Sequence, residues 1–341
     1  MTLIMIDTTW FDRVPKAELH LHLEGAIPLD ALWQLVQKYG GDPAVPDFAA
    51  LQHKFTYRDF PQFLRAWCWK NTFLREYEDF TFIAEAVAHD LAQQNIRYAE
   101  AFYSPIDFAQ HGLDAQHITE AIRAGLSKEP NVEIALVADL VRDDGPQQGA
   151  LTLAKVNEVR SLGVIGIGIG GSEHEFPPEP FAPVYEQARR MSFHTSAHAG
   201  EAAGPASIWG AIGALKVERI GHGTSAMQDA ALVDYLATQR IPVEMCPISN
   251  VRTAAVPSIE QHPIRAFYER GVVVTVNTDD PKMFNNSLAE EYRLLHEKLG
   301  FSQDDLRTLI LQAVQSSWLS AERKQAMIAA FTRDPAWISQ V

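Results

Sequence analysis

Residues able to bind a metal or move a proton recur where short apolar runs of this 341-residue chain end. The first run, 17–23 (AELHLHL), carries His20 and His22. On a strand this spacing puts both imidazoles on one face. A run over 192–198 ends on His198, in HAGE, with Glu201 on the turn that follows. A run over 218–222 ends on His222, flanked by Gly221 and Gly223. A strongly apolar run over 271–277 leads into Asp279 and Asp280.

Each feature has a bland alternative. HxH is also the polar face of an exposed strand. Each remaining histidine alone reads as a hydrogen-bonded structural residue, and Asp-Asp-Pro alone reads as a helix cap. Jointly they read differently, because a buried strand end is a costly place for His and Asp without partners. Two adjacent carboxylates in low dielectric need a cation or a proton between them. Three imidazoles and one carboxylate suit zinc. Zinc lowers the pKa of a bound water to about 7, which makes hydroxide available at neutral pH. Which of the four histidines and two aspartates are ligands stays open on spacing alone.

The elements that must position these residues alternate. Further strand-like runs lie at 96–103, 132–138, 163–169 and 241–246, which makes eight. Amphipathic stretches at 79–94, 115–128, 148–161, 180–190, 229–239 and 260–269 separate them. Eight strands alternating with helices predict an α/β fold, a (β/α)8 TIM-type barrel, whose active site gathers at the C-terminal strand ends. Extra helices are expected after strand 1, over roughly 28–94, and at the C-terminus after 286. An open doubly wound sheet would carry a Gly-rich turn after its first strand, and HLHLEGA is not one. GIGIGG (166–171) contains glycines at suggestive spacing, but acidic, Pro-rich EHEFPPEP follows where a helix should begin. It reads as the end of the fourth strand and a tight turn.

Bulk properties narrow the function. The formal net charge is −14, from 29 Lys and Arg against 43 Asp and Glu. That argues against capture of a nucleic acid polymer or an anionic membrane. The two cysteines, Cys68 and Cys246, form neither a disulfide framework nor a thiolate zinc motif. The N-terminal stretch is apolar only briefly, contains Asp7 and has no basic region, so it does not read as a signal peptide. One domain over 1–341 and a cytoplasmic location are expected. The sequence is silent on whether the chain forms a homo-oligomer.

HLHLEGA, YAEAFYSP, HAGE, RIGHG, CPISNV and NTDDP, in the order in which they stand, resemble the adenosine deaminase family of the amidohydrolase superfamily. The resemblance runs from about residue 15 to about 320. It implies hydrolytic deamination at C6 of an adenine-containing small molecule, with release of ammonia and one Zn2+ per chain. By the same resemblance His20, His22, His198 and Asp279 are the zinc ligands. Glu201 would protonate the purine ring nitrogen N1, and His222 would orient the attacking hydroxide and assist its proton transfer. Asp280 would bond N7, and the Gly171 backbone N–H would bond N3.

Hydrolytic deamination itself requires an activated water, an acid for the ring nitrogen and a proton for the leaving amine. The fourth run contains no lysine, so the bridging carbamate of two-metal relatives is not expected. The cytidine deaminase signature, HxE with PCxxC, is absent.

The chain departs from the family's common pattern at three places. Glu24 stands in HLEG where nucleoside deaminases often have HLDG, whose Asp meets the ribose 5′-hydroxyl. Phe102 stands where many relatives have Arg, and Gly168 where many have Asp. Adenosine or a modified adenosine is the expected substrate, with free adenine and aminodeoxyfutalosine as alternatives. Phe60, Phe63, Leu64 and Trp67 recur at near-helical spacing, either as a substrate lid or as a core-facing stripe. A phosphoesterase on the same barrel would need a basic cluster beside the metal, which these motifs lack. A catalytically inactive zinc- or purine-binding protein would be expected to have lost Glu201, His222 or Asp280, and all three are present.

Overall fold

In the computed structural model, residues 9–57 and 60–339 are described, Phe60 by its backbone alone. Eight parallel strands pair in chain order: β1 (Lys16–His22), β2 (Ile96–Tyr103), β3 (Glu133–Val141), β4 (Val164–Gly170), β5 (His194–Ala199), β6 (Arg219–His222), β7 (Val243–Met245) and β8 (Val274–Val276). Parallel strands need crossovers, and most of the helices that supply them lie where periodicity places them. Examples are Tyr77–Gln93, Ala115–Leu126 and Ala230–Gln239. The last two are fixed at their starts by Asp114 and Asp229, whose side chains accept backbone N–H bonds.

The extra helices expected after the first strand are Leu29–Lys38, Phe48–Lys54 and Phe60–Asn71. The C-terminal block holds Leu288–Leu299, Gln303–Ser316 and Ala321–Arg333. No helix among the described residues is long and apolar enough to cross a membrane. The architecture is a nearly closed (β/α)8 barrel.

The eighth strand is shorter than its apolar run suggests, ending at Val276. Polar bonds take over beyond it. Asn277 Oδ1 accepts the Leu19 N–H at 2.9 Å, and Glu18 Oε1 accepts the Thr278 N–H at 2.7 Å. The seam closes where the His22 N–H donates to the Asp279 carbonyl at 2.8 Å and the Asp279 N–H to the His20 carbonyl at 3.1 Å.

A second weak seam lies between β4 and β5, which pair at only Gly166–His194 and Ile167–Thr195. Fully buried Arg142 bridges the gap above. Its guanidinium donates to the carbonyls of Gly170 (3.3 Å), Phe176 (2.7 Å) and His198 (2.8 Å). Arg142→Met leaves these acceptors short of a donor and should lower stability by about 2–4 kcal/mol. Urea denaturation with an unchanged m-value is the check.

Candidate active site

His20 and His22 on β1, His198 on β5 and Asp279 just after β8 converge at the C-terminal mouth of the barrel. His20 Nε2 and His22 Nε2 each lie 3.1 Å from His198 Nε2, and each lies 3.4 Å from Asp279 Oδ1. His222 also brings a ring nitrogen within 4.8 Å of the His20, His198 and Asp279 ligand atoms.

The chemistry of this set fits a metal ion. His198 Nδ1 is 3.0 Å from the Ile169 carbonyl, which only accepts, so Nδ1 carries the proton and Nε2 presents a lone pair. Two more ring nitrogens crowd that single lone pair. Four donors held tetrahedrally at about 2.0–2.1 Å from one zinc ion would lie about 3.3–3.4 Å apart, close to the spacings seen. Burial holds the His198 ring well below its ordinary range and His22 down at about 3. Both therefore offer neutral imidazole. Burial opposes the charge of Asp279 as well, but the His20 hydrogen bond and the surrounding histidines keep its carboxylate ionised.

Behind these four side chains stand buried groups that orient them. Glu244 on β7 is fully buried, and its Oε2 takes the His20 Nδ1 at 2.8 Å. Its other oxygen pairs with the buried guanidinium of Arg219. Arg219 pairs in turn with Glu100 at 2.6 Å and lies 3.5 Å over the Trp318 ring. Ser249, in CPISNV, donates to Asp279 Oδ2 at 2.6 Å and leaves Oδ1 facing the histidines.

Beside this cluster stand two carboxyl groups pushed the opposite way. Burial, the ionised Asp279 and Glu173 push Glu201 well above the carboxylate range. Its Oε2 lies 3.5 Å from His222 Nε2. Glu173, not singled out by the sequence reading, accepts the backbone N–H groups of Gly200, Glu201, Ala202 and Ala203. It thereby fixes the turn that carries Glu201. Burial and then Asp279 likewise push Asp280 well above its usual range, and Asp280 Oδ1 has no hydrogen-bond partner among the described residues. Its carboxyl packs on Gly25, where any side chain would collide with it.

These groups open onto a cavity of about 550 Å³. Its wall includes His22, His198, Glu201, His222, Asp279, Asp280 and Gly171, with Phe63, Leu64 and Trp67 from helix Phe60–Asn71. That helix lines the cavity and packs into the core. Phe63 stacks on Phe284 at 5.1 Å, and Trp67 meets His22 edge-on at 5.9 Å. The Phe60 side chain lies outside the described residues. Glu24 is not on the cavity wall. It is buried, accepts the Ser104 N–H at 3.0 Å and has its carboxyl pushed up by that burial.

The departures at Phe102 and Gly168 belong to one packing unit with Asp139, a buried cavity residue on β3. A Cβ on Gly168 would lie 2.6 Å from the Phe102 ring and 3.0 Å from Asp139 Oδ1, while one on Gly170 would lie 2.6 Å from Asp139 Oδ2.

A family model described as adenosine deaminase matches residues 15–333. The chain is 34% identical over 332 residues to an aminodeoxyfutalosine deaminase from Streptomyces avermitilis, covering 96% of this chain and 93% of that protein. It is 33% identical over 303 residues to an adenine deaminase from Ectopseudomonas mendocina, covering 88% and 96% respectively. The structure of a cog1816 amidohydrolase from Burkholderia ambifaria, with bound zinc, superposes with a TM-score of 0.87 at 27% identity, covering 97% of this chain and 94% of that one.

The Glu244 contact generates a prediction independent of turnover. Glu244→Gln should weaken metal retention by about 10–100-fold. Metal content after dialysis against graded chelator measures it, and retention equal to that of the unsubstituted protein would remove Glu244 from the metal's support.

Proposed function

The chain belongs to the adenosine deaminase family of amidohydrolases, which makes it a hydrolytic deaminase of adenine-type compounds, and we propose that it removes the C6 amino group of a neutral adenine nucleoside or modified nucleoside. The carrying observation is the placing of a metal-ready cluster beside two carboxyl groups that their surroundings push towards the acid form, on one cavity. A zinc ion held by His20, His22, His198 and Asp279, one per chain, would supply hydroxide at neutral pH.

This chain's own residues do the rest. Protonated Glu201 donates to N1 of the ring, which draws electron density from C6 and prepares it for attack. Asp280, also protonated, can donate to N7, and the Gly171 N–H to N3. His222, 3.5 Å from Glu201, stands where it can orient the attacking oxygen. The Glu201 carboxylate left by that transfer can take the proton of the hydroxyl added at C6 and hand it to the amino group, which leaves as ammonia while a hypoxanthine-type ring remains. The aromatic face of Phe63 and Trp67 excludes water, which strengthens each of these contacts.

The cavity supports a nucleoside over a bare base. At about 550 Å³ it falls within the roughly 300–1,000 Å³ of sites for drug-sized ligands, more than a purine ring alone fills. Its described wall carries Asp107, Asp139, Asp143, Asp144 and Glu173 but neither Lys nor Arg. That wall disfavours a phosphorylated substrate, so a neutral substituent is favoured.

Ammonia release should be followed across adenosine, 2′-deoxyadenosine, 5′-modified adenosines, AMP, adenine, N6-substituted adenines, guanine and cytosine. Adenosine or a 5′-modified relative should be turned over in preference to AMP and adenine. Turnover of none of the aminopurines would sink the reading, and turnover of adenine alone would sink its nucleoside part.

The pH dependence has a definite sign. Glu201 acts as an acid, so kcat/KM should fall as pH rises through its raised pKa. Glu173 is a negative neighbour that helps to raise it. Glu173→Gln removes that charge and should move the alkaline limb to lower pH. A limb that stays in place would disconnect Glu201 from it.

A further inference from the structure

His222 ends β6 with a left-handed backbone, φ 61°, that a β-carbon residue rarely adopts. Its ring is then held by a buried chain of side chains that the mechanism above does not use. His222 Nδ1 lies 2.9 Å from Asn250 Nδ2, and Asn250 Oδ1 lies 3.1 Å from His262 Nε2. The other ring nitrogen of His262, Nδ1, takes the backbone N–H of Ile264 at 3.2 Å. None of the three side chains is more than marginally exposed.

The direction of every bond in this chain follows from its far end. A backbone amide only donates, so His262 Nδ1 accepts and bears no proton. Burial holds His262 down at about 3, so its ring is neutral and its one proton sits on Nε2. That N–H faces Asn250, which must therefore turn its carbonyl oxygen to it. The reverse orientation would set an amide NH2 against an N–H in a buried place. Asn250 is left with its NH2 towards His222, whose Nδ1 accepts. A neutral His222 then carries its proton on Nε2, the nitrogen 3.5 Å from Glu201 Oε2.

We propose that Asn250 and His262 are positioning residues that lock His222 in its Nε2–H tautomer, so that His222 meets the attacking oxygen as a hydrogen-bond donor and not as the base that deprotonates it. This rests on the deaminase reading for its consequence but not for its geometry. A donor at Nε2 directs the lone pairs of the attacking oxygen towards C6. It cannot take a proton there, and Nδ1 is closed by the Asn250 amide.

The test uses the full chain loaded with zinc and labelled with ring-15N histidine. His222 is assigned by the resonances that vanish in His222→Gln. Long-range proton–nitrogen correlations should show a protonated Nε2 and an unprotonated Nδ1. Asn250→Asp sets an acceptor-only carboxylate against Nδ1 and should move the proton there, with kcat falling about 10–100-fold while KM holds. His262→Ala should lower kcat, and His262→Gln, whose amide N–H can still reach Asn250, should recover most of it.

A wild-type ring protonated on Nδ1 overturns the proposal, as does an Asn250→Asp protein with both tautomer and kcat intact. Failure of the wild type to deaminate any aminopurine defeats the deaminase reading alone, because the ring-nitrogen resonances decide the tautomer either way.

Discussion

The barrel closes on itself through a short hydrogen-bonded ladder between β1 and the end of β8, and the residues that form it are His20, His22 and Asp279. Backbone closure and ligand convergence are therefore one event. Asp279 takes a left-handed backbone, φ 67°, to make it. A non-glycine residue in that region costs about 1–3 kcal/mol and persists only where its surroundings over-determine it. Here Ser249 holds the carboxyl, the β1 amides and carbonyls hold the main chain, and the three imidazoles face what remains. A slip of one residue along either strand would turn the histidines out of the barrel and open the seam at the same time.

The support below the ligands follows from the same constraint. His20 is fully buried, so the partner of its Nδ1 must be buried too, and a buried carboxylate needs a counter-charge. Glu244 is that partner and Arg219 that counter-charge, with Glu100 balancing the guanidinium. The column ends at the C-terminal block, where the Trp318 backbone N–H donates to Glu100 at 2.6 Å and the Trp318 ring lies over Arg219. The C-terminal block thus completes the floor beneath the histidine cluster as well as covering the barrel.

How much of this could be read from residues alone divides along physical lines. The strands, the helical blocks and the HLH, HAGE, RIGHG and NTDDP strand ends were legible, because apolar runs ending in His or Asp are rare and fall at one end of the barrel. Glu244 and Glu100 were not, since each stands inside an apolar run whose interior neighbours are set only by closure. Glu173 sits in an acidic segment that reads as solvated loop, and nothing in its spacing announces that it gathers four amides. Asn250 and His262 lie 12 residues apart on separate segments and meet only in three dimensions. Phe102 and Gly168 could be noticed as departures, but their common cause could not. The Phe102 ring and the Asp139 carboxyl fill the space a β4 side chain would need, so the three positions are sterically linked.

The last constraint is electrostatic. Asp279 and Asp280 are adjacent in sequence and buried together, and two carboxylates so placed cannot both ionise without a cation. Their surroundings push them apart. The His20 hydrogen bond and the nearby histidines favour the charged form of Asp279, while burial and Asp279 itself push Asp280, packed on Gly25, towards its acid form. Glu201 is driven the same way as Asp280 by the same ionised neighbour. One carboxylate thus faces the histidine cluster and, by its charge, pushes two others towards the acid form. A purine offers ring nitrogens that accept hydrogen bonds, and an acid-form carboxyl is a donor for them where a carboxylate would repel. On the proposed reading, the arrangement that fits the site to a cation would also fit its rim to a nitrogen heterocycle, and both would follow from a single charge at Asp279.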